Sequence, residues 1–277
     1  MDPFQLLPLA AGALLYALRV RGLGRRGIAI PAWKPVLFAL GVVLVAAALT
    51  WPIEPWAEKS FAFHMVQHVL LGDLGALCIV AGLTGPILRP LLSVRAVRSL
   101  RALSHPLVAL PLWALNLYVW HLAFLYEAAL RHDAVHALEH VAFFAAGALM
   151  WSPVLEILPA PEWFGTAAKM GYMVAVRLIS TVLANVLVWA GDPFYSFYER
   201  ADRPFGLSAE SDQGIAGAVM LVEGSLVTIG ALAWLFLRLA AEGELKQELL
   251  ERGLDPRAVR RAVRYGRAAD ITRRNST

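Results

Sequence analysis

Apolar stretches of about 20 residues recur along the chain, each long enough to cross a bilayer as a helix. They fall at 4–20, 33–53, 62–83, 106–127, 135–156, 167–190 and 213–240. No other feature restricts the fold as much. A helix satisfies its own backbone hydrogen bonds, so seven such runs predict an all-α, polytopic membrane protein with seven transmembrane helices. Composition agrees, with 58% hydrophobic and only 17% charged residues. The expected organisation is a transmembrane domain over 1–241 and a basic tail over 242–277. In that tail Asp255 and Pro256 have the pattern of a helix start. The first run is expected to remain as an anchor, because Asp2 precedes it and the arginines follow it, the reverse of a cleavable leader.

Basic residues set the expected orientation. Arg19, Arg21, Arg25, Arg26 and Lys34 fill the first loop, and Arg89, Arg95, Arg98 and Arg101 the third. The tail carries nine more, including Lys246, Arg257, Arg260, Arg261, Arg264, Arg267, Arg273 and Arg274. The second, fourth and sixth loops are neutral or acidic, so the N-terminus is expected outside and the C-terminus in the cytoplasm. The net charge of +4 then reflects topology and contact with anionic membrane lipid, not nucleic acid. A single cysteine, Cys78, excludes an internal disulfide and a multi-cysteine metal cage.

Against this frame the histidines gather. His64 and His68 open the third span, His121 ends the fourth, His132 follows in the loop, and His136 and His140 open the fifth. Six of the seven histidines fall in one leaflet or its loop, and His105 alone lies on the other side. Residues four apart share a helix face, and the two pairs begin parallel spans, so His64 matches His136 in depth. His68 and His140 lie about 6 Å deeper. Neutral imidazole binds copper, zinc and iron. Position at the outer face and the absence of a thiolate cluster favour copper, as Cu+ or Cu2+. Met65 and Met220 are candidate thioether contacts, and Glu127 and Glu139 candidates to orient imidazole N–H groups. Asp73, Arg177 and Glu223 fall mid-span and predict a buried polar layer with Asp73 paired to Arg177.

Other chemistries compete for the same residues. "HALEH" at 136–140 fits the H-x-x-E-H zinc peptidase pattern. Facing histidines at one depth also suit a bis-histidine haem, and the mid-span charges suit a transporter.

"FHMVQHVLL" at 63–71, "VWHLAFLYEAAL" at 119–130, "VHALEHVAFFAAGALMW" at 135–151 and "SDQGIAGAVMLVEG" at 211–224 together resemble the multi-span CtaG family, assembly factors of caa3-type cytochrome c oxidases. The resemblance runs from about residue 35 to 240. It implies a prokaryotic plasma-membrane protein that is not an enzyme and that serves the copper centres of the oxidase. The implied partners are the oxidase subunits and an extracytoplasmic copper donor, and a homodimer is compatible with it. By motif, His64, His68, His121, His136 and His140 match the family's histidines, and Asp212 and Gln213 match its "DQ" pair. Leu221 stands after Met220 where the family often has an aromatic residue, and the long basic tail is not a family feature.

Overall fold

The computed structural model describes residues 6–94, 100–158, 160–199 and 204–264. Arg95, Arg98, Arg267, Arg273 and Arg274, used above for orientation, lie outside them. Every regular element among the described residues is helical. In chain order the α-helices are α1 (Leu6–Arg25), α2 (Trp33–Ala48), α3 (Ile53–Ala57), α4 (Phe61–Gly82), α5 (Gly85–Ser93), α6 (Pro106–Trp120), α7 (Ala123–Arg131), α8 (Asp133–Val154), α9 (Thr166–Trp189), α10 (Ser196–Glu199), α11 (Ala209–Glu251) and α12 (Pro256–Arg264). The chain divides into two compact units, 1–160 with 176–225, and 161–175 with 226–277.

The helices match the expected spans unevenly. α1, α4, α8, α9 and α11 are long and apolar enough to cross a membrane, and α6 with α7 makes a sixth crossing if the bent pair is one span. Among the described residues, length and composition thus support five or six of the seven expected crossings. α2 has 16 residues, about 24 Å, and falls short of a typical crossing. The fourth run is not one helix: α6 and α7 meet at a 71° bend. The bend sits at His121 and Leu122, whose backbone leaves the helical region at Leu122 (ψ 129°).

α4 is not uniform either. Phe61–His68 and Ala76–Gly82 are α-helical, but Val69–Gly75 between them is π-helical. A wide turn of this kind changes the angular register of the helix beyond it, so a strict 3.6-residue period does not carry from His68 to Gly82. Beyond the wide turn, α2 crosses α4 where a β-carbon on Gly41 would meet the Ile79 nitrogen and the Gly75 carbonyl. α8 approaches more closely still. A β-carbon on Gly147 would overlap the carbonyl oxygen of Gly72, so the two backbones touch there. This contact lies one turn beyond His68 and two turns beyond His140, and it fixes α4 and α8 side by side.

The buried polar layer departs from expectation. Arg177 on α9 donates to the Leu221 carbonyl (3.1 Å) and to Ser225 Oγ (2.7 Å) on α11, not to Asp73. Asp73 instead has Glu223 as an electrostatic neighbour.

In the second unit α11 runs unbroken through position 241, where the sequence placed a boundary. Asp255 caps α12 as expected, its Oδ2 accepting from the Ala258 amide at 2.8 Å.

Candidate metal centre

α4 starts under tight local control. Ser60 is its N-cap, with Oγ accepting from the Phe63 amide (3.4 Å). The fully buried carboxylate of Asp212, at the start of α11, accepts from Ser60 Oγ (2.6 Å), the Phe61 amide (2.7 Å) and the Ala62 amide (3.2 Å). A negative charge there also complements the helix N-terminus. Asp212 therefore anchors the helix that carries His64 and His68 and does not reach the imidazoles. Its neighbour Gln213 holds the preceding loop: Oε1 accepts from the Phe194 amide (2.8 Å) and Nε2 donates to the Asp192 carbonyl (3.2 Å).

From this start His64 and His68 turn inward together. Their rings lie 4.4 Å apart and their Nε2 atoms 2.9 Å apart. α8 brings the second pair, with His136 and His140 rings 4.2 Å apart. Across the helices His64 stacks on His136 at 5.3 Å, and His68 meets His140 edge-on at 6.3 Å. Four imidazoles thus form a quadrilateral, with His64 opposite His136 and His68 opposite His140, the pairing that the spacing predicts.

Glu139, also on α8, reaches the α4 pair of imidazoles. Its Oε2 is 3.5 Å from His64 Nε2 and its Oε1 is 3.6 Å from His68 Nε2. Ligand atoms of His64, His68 and Glu139 all lie within 4.8 Å of one another. His64 and Glu139 are wholly buried, and His68 is 5% exposed. Ionised groups are costly at such a position without compensation, and a cation between the three would provide it. Both carboxylate oxygens and Nδ1 of His64 and His68 are buried without a hydrogen-bond partner. The donor set of two imidazole nitrogens and a carboxylate suits a divalent transition metal. The residues therefore fit an ion.

His121 sits at the α6–α7 bend. Where the helix ends, the Leu117 carbonyl loses its amide partner, and His121 Nδ1 takes that place at 2.7 Å. A carbonyl only accepts, so Nδ1 carries the hydrogen and Nε2 presents a lone pair. That Nε2 is buried without a hydrogen-bond partner. The ring lies 6.1 Å from Phe143 and 6.4 Å from Tyr126, beside the quadrilateral and not within the closest group.

The remaining residues named from sequence lie elsewhere. His132 is exposed. Glu127 accepts from Arg131 (2.6 Å) and Ser196 Oγ (2.8 Å), so it orients no imidazole. Met65 is buried among Phe61, Tyr126, Leu187, Tyr195 and Tyr198, and Met220 packs against the same cluster. His105 caps α6, its Nδ1 accepting from the Leu107 amide at 3.3 Å.

Sequence reasoning missed the aromatic wall. Tyr126 packs 4.9 Å from His64 and stacks on Tyr195 at 4.1 Å, with its hydroxyl 3.2 Å from that of Tyr198. Tyr195 donates to the His121 carbonyl (2.9 Å) and Tyr198 to the Ala57 carbonyl (3.0 Å). Burial raises the phenol pKa of Tyr195 and of Tyr198, so both stay neutral donors. Phe143 closes the far side, 4.1 Å from His68. The signal was present in "DPFYSFYE" (192–199), an aromatic-rich loop in an otherwise acidic segment.

Comparison with known proteins gives one match. The model of the cytochrome c oxidase caa3 assembly factors (Caa3_CtaG) covers residues 14–242, which contain every residue of the cluster. No curated protein and no solved structure matches the chain.

Proposed function

This chain belongs to the cytochrome c oxidase caa3 assembly factors, and from that premise we propose that it binds copper at the His64–His68–Glu139 centre and delivers it to the oxidase. Copper is cargo in this reading, not a resident cofactor, and the protein performs no chemistry on it beyond ligand exchange. The observation that carries the reading is the convergence of two imidazoles and one carboxylate from two helices on a single buried point.

His64, His68 and Glu139 are the primary ligands. The His136 ring lies 5.3 Å from that of His64 and the His140 ring 6.3 Å from that of His68, and His121 offers a free Nε2 beside them. A carrier must release what it holds, and neighbouring imidazoles give an ion stepwise alternatives to complete dissociation. The structural rigidity comes from outside the ligand set, through Asp212, Tyr126 and the Gly72–Gly147 contact. The protein sits in the plasma membrane with this cluster toward the extracytoplasmic side, where a donor protein supplies the ion. The dense ring packing, with Tyr126 and Phe143 against the histidines, favours a single ion over a haem macrocycle. Glu139 lies against the histidines of the other helix, which favours a ligand over a water-activating base.

The test is copper content of the oxidase. Cells lacking this chain are complemented with wild type, His68→Ala or Glu139→Gln, and the oxidase is purified and assayed for copper per haem. Wild type is expected to restore full copper and the variants to leave it deficient. Equal restoration by all three would exclude a delivery role for the cluster.

A further inference from the structure

The second unit holds a cavity of about 690 Å³ that the metal centre does not use. Its walls come from the start of α9 (Gly165, Thr166), the end of α11 (Glu242, Lys246) and α12. Arg257, Arg260, Arg261 and Arg264 of α12 all line it, so five cations face two carboxylates, Glu162 and Glu242. The helix period explains why. Val259 and Ala262 are buried, and Val259 packs on Leu249 and Leu254, which leaves the arginines on the remaining faces.

Two charges of the wall, Glu242 and Arg264, are already committed within the protein. Glu242 accepts from Thr166 Oγ1 (2.8 Å) and Arg238 Nε (2.8 Å), and Arg264 donates to the Pro161 and Phe164 carbonyls. Lys246, Arg257, Arg260 and Arg261 have no acidic partner among the described residues. Four unpaired cations around one concavity repel one another, and an anion seated there removes that cost. Gly165 and Thr166, at the N-terminus of α9, line the same cavity, and that end of a helix dipole is positive. Exposed Trp163 and Trp234 belong to the same unit, and Arg238 lies over the Trp234 ring at 6.0 Å. Tryptophan and arginine together are the pattern of a membrane–water interface.

We propose that this cavity binds the phosphate group of an anionic phospholipid, with Lys246, Arg257, Arg260 and Arg261 as the contacting side chains. Arginine's planar fork matches phosphate oxygens in pairs, and lysine supplies a point charge. The headgroup pins α12 against the end of α11 and holds the tail at the membrane surface.

Native mass spectrometry of the detergent-purified full chain tests this, with phosphatidylglycerol, phosphatidylcholine or inorganic phosphate added in separate arms. Wild type is expected to retain phosphatidylglycerol at least fivefold more than phosphatidylcholine. The Arg257→Gln/Arg260→Gln/Arg261→Gln variant is expected to lose that preference, and copper binding to stay unchanged. Lys246→Gln, an exposed position, provides a milder variant if the triple one unfolds, and it is expected to halve retention or more. Equal retention of the two lipids by wild type, or an undiminished preference in both variants, would overturn the proposal. Retention of inorganic phosphate without phosphatidylglycerol would overturn the lipid assignment as well.

Discussion

Glu139 and His68 stand 71 residues apart along the chain, on two different helices, yet a carboxylate oxygen of one lies 3.6 Å from Nε2 of the other. His64 lies at 3.5 Å from the second oxygen, so one carboxylate addresses both imidazoles of the α4 pair. In the proposed copper centre that arrangement gives the glutamate the place of a ligand. Glu139→Gln keeps the shape and removes the charge. Copper(II) affinity is expected to fall at least a hundredfold, while the helical circular dichroism is retained. A competition titration against a chelator of known affinity measures it. A loss of tenfold or less would return Glu139 to an orienting role.

Protons compete with the metal for the same nitrogens. An imidazole ligand must be neutral, so protonation displaces the ion and affinity falls toward acid pH. With two histidines in the primary set, affinity is expected to drop by up to about a hundredfold per pH unit where both are protonated. Copper retention from neutral pH downward, over the range in which circular dichroism shows the fold intact, checks the slope. An ion held undiminished to the acid limit of the folded state would mean that histidine does not hold it.

Asp212 is expected to act on stability first. Asp212→Asn removes a buried charge that accepts three hydrogen bonds at the start of α4. The cost should be about 2 kcal/mol, near the upper end for a helix cap. Thermal unfolding in detergent should show a lower midpoint, with copper binding weakened only as the start of α4 loosens. If copper binding vanished with the midpoint unchanged, Asp212 would be a ligand after all.

Gly147 tests the helix contact behind the site. Gly147→Ala pushes a methyl group into the Gly72 carbonyl, and the clash should cost about 1–3 kcal/mol. It should also spread His68 from His140 and lower copper affinity. Gly171→Ala, whose β-carbon meets nothing within 4 Å, serves as the control and should leave both unchanged.

Much of this site was legible because helix periodicity is a strong constraint. The i,i+4 spacing of His64 with His68 and of His136 with His140, on parallel helices, gave matched depth without any knowledge of packing. Glu139 was assigned to orient an imidazole, since spacing cannot tell a group beside the ion from one behind it. The break at His121 was hidden because "LYVWHLAF" is apolar throughout, and only the bend converts the Leu117 carbonyl into an acceptor for the ring. The π-helical turn in α4 left no mark in hydropathy. Its visible correlates are Gly72 and Gly75, which permit the backbone contacts that accompany it. The Asp73–Arg177 pairing failed because depth alone chose the partners, whereas Arg177 found hydroxyl and carbonyl acceptors on the helix beside it.

Copper retained per chain after dialysis against a chelator decides whether the His64–His68–Glu139 centre holds the ion, on the purified full-length protein and its His64→Ala/His68→Ala variant. About one copper ion per wild-type chain and near none in the variant are expected, with both proteins helical. Wild type emptied by dialysis, or a variant holding as much copper as wild type, would contradict copper binding there.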